Sequence, residues 1–116
     1  MLVLVAGSDL EYCARIGDSL RRDSHQVVMA ADFAACRQFR GYDSVDAVIM
    51  SASDSEQVPT DLIQEVHTRH GIPFVVLVDE PQAAVTSPYV EAGAECITRP
   101  ANPDDLTVWV NASSHR

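Results

Sequence analysis

The chain contains no lysine: all eight of its basic residues are arginines. That excludes any mechanism that needs a lysine ammonium. Basic residues are scarce altogether, eight against 17 Asp and Glu, for a formal net charge of −9 and a pI near 4.6. Such a balance argues against standing attraction to nucleic acid or to anionic membranes. Cysteines are few as well. Cys13, Cys36 and Cys96 are odd in number, widely separated and form no CxxC. They read as three reduced, partly buried thiols in a cytoplasmic protein. None of His25, His67, His70 and His115 stands at ligand spacing from a cysteine, so no zinc site is expected. Long hydrophobic runs are missing too. The opening MLVLVAG has no basic flank and is far too short for a signal peptide or a membrane span. No internal repeat, low-complexity tract or linker is present.

What is present fits one domain with one core: 116 residues, 47% of them apolar. Five short apolar runs recur, Leu2–Ala6, Gln26–Ala30, Ala47–Met50, Phe74–Val78 and the weaker Glu95–Thr98. The first, third and fourth are rich in Val, Ile and Leu without polar alternation, as in strands covered on both faces of a parallel sheet. Between them lie helical signals. Leu10–Arg22 has Ser8 or Asp9 as cap and Tyr12, Ile16 and Leu20 at four-residue spacing. Phe33–Arg40 has Asp32 as cap and Gly41 as stop. Thr60–Arg69 has Thr60 as cap, Leu62, Ile63 and Val66 as its apolar face, and Gly71 as terminator. Pro88 is expected to break the next segment, leaving 83–86 as loop or a separate turn and a short helix that ends at Gly93. Asn102-Pro103-Asp104-Asp105 opens the last helix with a cap, a first-turn proline and two acids. Strand and helix alternate five times, which predicts a single doubly wound α/β domain over 1–112, with 113–116 as a frayed tail or the start of a linker.

In such a sheet, ligands bind beyond the carboxyl ends of the central strands. Four segments converge there: Gly7-Ser8-Asp9, Ser51 to Asp54, Asp79-Glu80-Pro81 and Arg99-Pro100.

Taken in order, VLVAGSD, VDAVIMS, IPFVVLV and VEAGAECITRP resemble the receiver domain of bacterial response regulators over essentially the whole chain. The resemblance implies a CheY-like, flavodoxin-like (βα)5 fold with five parallel strands in the order 2-1-3-4-5. It also implies five working positions. Two acids after the first strand and an acceptor aspartate hold Mg²⁺ through oxygen ligands. The acceptor takes a phosphoryl group in line. A hydroxyl residue and a lysine then hold the phosphoryl oxygens. Here the acid pair falls on Gly7 and Ser8, the acceptor on Ser51, the hydroxyl on Val78 and the lysine on Arg99. A slip of one residue brings in Asp9 as a single remaining acid. Ser51 is a poor nucleophile without a neighbouring base, and Val78 cannot hydrogen-bond a phosphate. The expectation is a degenerate pocket, with no catalytic residue, no metal and no cofactor.

Other chemistry finds little footing. Asp54 and Asp79 read as solvated loop acids. His67 and His70 fall at the end of the third helix, towards the opposite pole. There is no GxSxG elbow and no phosphate loop. Arg99 is placed either to bind an anion or to close the mouth by pairing with Asp9, Asp54 or Asp79.

The expected function is therefore a non-enzymatic, phosphorylation-independent pseudo-receiver in bacterial signalling. It would contact a protein partner, or itself as a dimer, through the face of the fourth helix, fifth strand and fifth helix that the resemblance implies. Tyr89, Val90, Ile97 and Trp109 are the candidate contact residues there. The alternative is a sensor that binds a small ligand in the Ser8/Ser51/Arg99 mouth or against that face.

Overall fold

The structure, a computed structural model, describes residues 2–7, 9–30, 32–39, 41–51, 58–78, 83–98 and 102–113, and the side chains of these except 83–87, 98 and 113. Five strands form one sheet: β1 (Leu2–Gly7), β2 (Gln26–Ala30), β3 (Ala47–Ser51), β4 (Phe74–Val78) and β5 (Glu95–Thr98). Between and after them run α1 (Leu10–Arg22), α2 (Phe33–Gln38), α3 (Thr60–Gln64), α4 (Ala83–Ala92) and α5 (Pro103–Ser113). The strands lie in the order β2-β1-β3-β4-β5 and every neighbouring pair is parallel. This is the doubly wound α/β fold that the alternating pattern predicts.

Period-two alternation along each central strand divides the core. Leu4, Ala6, Val48, Met50, Val76 and Val78 face one way, onto Cys36 of α2, Leu62 and Ile63 of α3, and Tyr89 and Ala92 of α4. Val3, Val5, Ala47, Ile49, Val75 and Leu77 face the other way, onto Cys13, Ile16 and Leu20 of α1 and Leu106 and Val110 of α5. A polar seam sets α5 against α1. The Ser19 hydroxyl donates to Asp104 at 2.8 Å and lies 2.9 Å from the Thr107 hydroxyl, while Asn111 Nδ2 donates to Asp23 at 2.7 Å.

Most helix ends follow the sequence signals. Asp9, rather than Ser8, caps α1; Asp32 accepts from the Ala35 N–H at 2.7 Å; Asn102 accepts from the Asp104 N–H at 3.0 Å. Gly71 (φ 67°) and Gly93 (φ 110°) take the left-handed conformation that ends α3 and α4. Four expectations are corrected. The second helix stops at Gln38 because Phe39 turns to an extended conformation and lays its ring edge-on against Tyr42. Residue 59, not Thr60, is the cap position of α3, and no side chain caps it. Past Gln64 the third helix widens into a π turn, Glu65–Arg69. Pro88 lies inside a continuous α4 rather than starting a new helix. A proline removes one backbone donor, and a ten-residue helix anchored by buried Tyr89 and Ala92 absorbs that loss. Among the described residues no helix is long and apolar enough to cross a membrane. Residues 114–116, where the tail was expected, lie outside the described residues.

Candidate functional site

The carboxyl end of the sheet is where the fold would place a working pocket. Gly7 ends β1 and Ser51 ends β3, and the two are register partners. Ser51 is 2% exposed. Cys13, from the first turn of α1, closes the space above them. A Cβ added at Gly7 would meet the Cys13 sulfur and the Ser51 Cβ at 3.1 Å, and the Ser51 carbonyl oxygen at 3.2 Å. A side chain at position 7 would therefore crowd Cys13 and Ser51, which would have to give by a few tenths of an ångström.

Asp9 keeps a carboxylate but uses it locally. Its Oδ1 accepts from the Tyr12 N–H at 3.1 Å and caps α1. Val78 is 3% exposed and belongs to the core on the α2–α3–α4 face, whereas Ser51 stands beside Cys13 on the α1–α5 face. The sheet therefore joins Gly7 to Ser51 but does not bring Val78 to them. Ser8 and Arg99, with Asp54 and Asp79, lie outside the described residues. No group of three or more His, Cys, Asp and Glu side chains among the described residues is placed to hold a metal ion.

The thiols add no nucleophile. None of the three is in a disulfide; Cys13 and Cys36 are buried, and Cys96 is half-buried. Burial, reinforced by the nearby Asp32 charge, pushes the Cys36 thiol up to about 11. Burial also raises Cys96. Both stay protonated near neutral pH. His67 and His70 stand at the far pole, as expected. The His67 ring packs against Gly93 with Nδ1 3.3 Å from the Ile72 carbonyl, and His70 Nδ1 lies 3.1 Å from Asp43.

The candidate contact face divides. Tyr89 is not a surface anchor: it is 4% exposed, and its hydroxyl oxygen accepts the Val58 N–H at 3.2 Å. Four-residue helical spacing turns it inward beneath α4 and leaves Val90, 57% exposed, pointing out. Ile97 and Trp109 are half-buried against the α1–α5 core, and the indole N–H of Trp109 donates to Glu95 at the start of β5. Val108, which the candidate set lacked, is 65% exposed on α5. Its place next to Trp109 on an amphipathic helix was the available signal.

No protein-family model matches the sequence, and no curated protein matches it. Solved structures do. A CheY-like response regulator receiver domain protein from Methanospirillum hungatei superposes with a TM-score of 0.81 at 18% identity, covering 97% of this chain and 92% of its own. A response regulator receiver domain protein from Clostridium thermocellum gives 0.83 at 20% identity, covering 99% and 94%. HP1043, an orphan response regulator of H. pylori, gives 0.83 at 17% identity, covering 99% and 97%. With identities this low, the likeness establishes architecture, and the chain has the CheY-like receiver fold of response regulators.

Proposed function

We propose that the chain is a receiver-like signalling domain that works without aspartyl phosphorylation, as a cytoplasmic interaction or dimerisation module of an atypical bacterial response regulator. The observation that carries this reading is the Gly7–Ser51–Cys13 packing. The acceptor position holds a buried serine, and the first acid position is a glycine at which even a Cβ would crowd Cys13 and Ser51. A hard divalent cation needs several oxygen ligands, and the nearby acid, Asp9, is engaged as a helix cap. Work then falls to the surface. β5 pairs only with β4, and the exposed Val90 and Val108 stand on the two helices that flank it. Ile97 of β5 and Trp109 of α5, both half-buried, add apolar surface on the α1–α5 side.

Two measurements test the two halves separately. Mg²⁺ with beryllofluoride should leave the melting temperature unchanged for the wild type and for Ser51→Asp. A Mg²⁺-dependent rise in the wild type would overturn phosphorylation independence. Light scattering across a concentration series, with and without Val90→Glu plus Val108→Glu, tests the surface. A mass that rises with concentration in the wild type and not in the double variant is expected. A constant monomer mass in both would remove dimerisation through this face.

A further inference from the structure

Polar groups carry much of the docking of α5 on α1. Of the described side chains of α5, Leu106, Thr107 and Val110 are buried, and one of these is polar. Along α1 the seam runs from Ser19, which reaches Asp104 and Thr107, to Asp23 and His25, which both meet Asn111. A helix docked through few apolar side chains and a line of hydrogen bonds belongs to the part of a fold that opens before the rest.

Two local costs meet at the far end of that seam. The first is in the backbone. Ser24 has φ 69°, in the left-handed region where a side chain is strained. Gly71 and Gly93 take that conformation after α3 and α4, but α1 uses a serine. Bonds of 3.0 Å from the Ser24 N–H to the Arg21 carbonyl, and from the His25 N–H to the Leu20 carbonyl, tie it there.

The second cost is in the His25 ring, whose side chain is 7% exposed. The Asp23 carboxylate can only accept, so Asn111 turns its Nδ2 to that carboxylate at 2.7 Å and its Oδ1 to His25 Nε2 at 2.9 Å. Nε2 therefore carries a proton. The other nitrogen, Nδ1, is buried with no hydrogen-bond partner among the described residues, an arrangement that folded proteins rarely tolerate.

We propose that Asp23, Ser24, His25 and Asn111 form a strained latch, and that α5 releases from α1 as a unit while the sheet stays folded. Release admits water to Nδ1 and frees Ser24 from its left-handed conformation. Both costs are therefore lost in the open state, which lowers the free energy of opening. Val108 and Trp109 ride on α5, and the Trp109–Glu95 bond breaks in the same step. A closed latch assembles the α4–β5–α5 face and an open one dismantles it. That last link rests on the interaction reading above; the latch itself does not.

The test is native-state hydrogen exchange of the full chain, followed amide by amide in low concentrations of urea. Amides from Leu106 to Asn111 should share one opening free energy, below that of Val5, Ile49 and Val76 in the sheet. Asn111→Ala, which favours helix, should speed α5 exchange about tenfold by removing the clamp. Ser24→Gly should slow it about two- to fivefold by removing the backbone cost. Ile63→Val, in α3 on the opposite face of the sheet, is the control. It should speed the sheet amides about threefold or more and leave α5 as in the wild type, because the open state keeps that contact. Three results would each overturn the proposal: α5 and sheet amides that move together in Ile63→Val, α5 exchange unchanged by Asn111→Ala, or α5 exchange unchanged by Ser24→Gly. Exchange is read on the protein without a partner, so failure of the interaction reading leaves the result standing.

Discussion

A methyl group at position 7 would be crowded: the Cys13 sulfur and Ser51 stand within 3.2 Å of where its carbon would sit, and they would have to give by a few tenths of an ångström. Gly7 is not in the left-handed region, so the cost of substitution is steric and not conformational. Gly7→Ala should lower stability by about 1–3 kcal/mol, the range for overpacking a dense core. The midpoint of urea unfolding measures it, and an unchanged midpoint would mean that the β1–α1 junction opens easily and that an acid could be housed there. The sequence shows that the five working positions depart from the receiver pattern, because residue identity carries that directly. It does not show that the first of them is tightly packed. That depends on Cys13, six residues away on another element, and on the strand register that puts Ser51 beside Gly7. Tyr89 misleads for the same reason. An aromatic on a short helix is equally suited to a surface or a core, and only the packing of α4 decides.

At the scale of elements, the link between α4 and the entry to α3 is narrow and polar. The Val58 N–H, buried just before α3, is received by the Tyr89 hydroxyl. Tyr89→Phe keeps the ring and strands that donor, at a cost of about 1–3 kcal/mol. Hydrogen exchange at Val58 should quicken along with the loss of stability. A fall in stability with no change at Val58 would place the effect in ring packing instead. Strands were the most legible elements. All five appear where the apolar runs lie, with ends moved by at most one residue, and β1, β3 and β4 were the plainest because burial on both faces leaves few other readings of such runs. Helix irregularities were not legible. Pro88 reads as a break when helix propensity alone is weighed, and tertiary anchoring overrides it. The π turn at Glu65–Arg69 has no composition signal of its own.

For the molecule as a whole, 17 acids against eight arginines set a self-repulsion that no single contact removes. Among the described residues four arginine–carboxylate pairs oppose it: Arg15–Glu11, Arg21–Asp18, Arg37–Asp61 and Arg69–Glu65. All are solvent-exposed, and pairs of this kind contribute little each. The Arg37–Asp61 pair is the best formed, and its hydrogen bonds hold the Asp61 carboxyl below its usual range. Its sign follows from that. A carboxyl lowered by folding adds stability above its unfolded pKa and loses it as the pH falls through the folded value. Salt weakens repulsion and pairs together, but the repulsion is summed over the whole surface while each of these pairs is local and exposed. Raising NaCl from about 0.02 M to about 0.5 M, over which the screening length falls from tens of ångströms to a few, should therefore raise the melting temperature. The rise should be larger at pH 8 than near pH 5, where carboxylates begin to protonate and the net charge shrinks. A melting temperature that falls with salt would mean that these pairs, Arg37–Asp61 first among them, hold the fold more strongly than its charge loosens it. Arg37→Gln would then be expected to remove the salt dependence, and measuring both chains over the same series distinguishes the two.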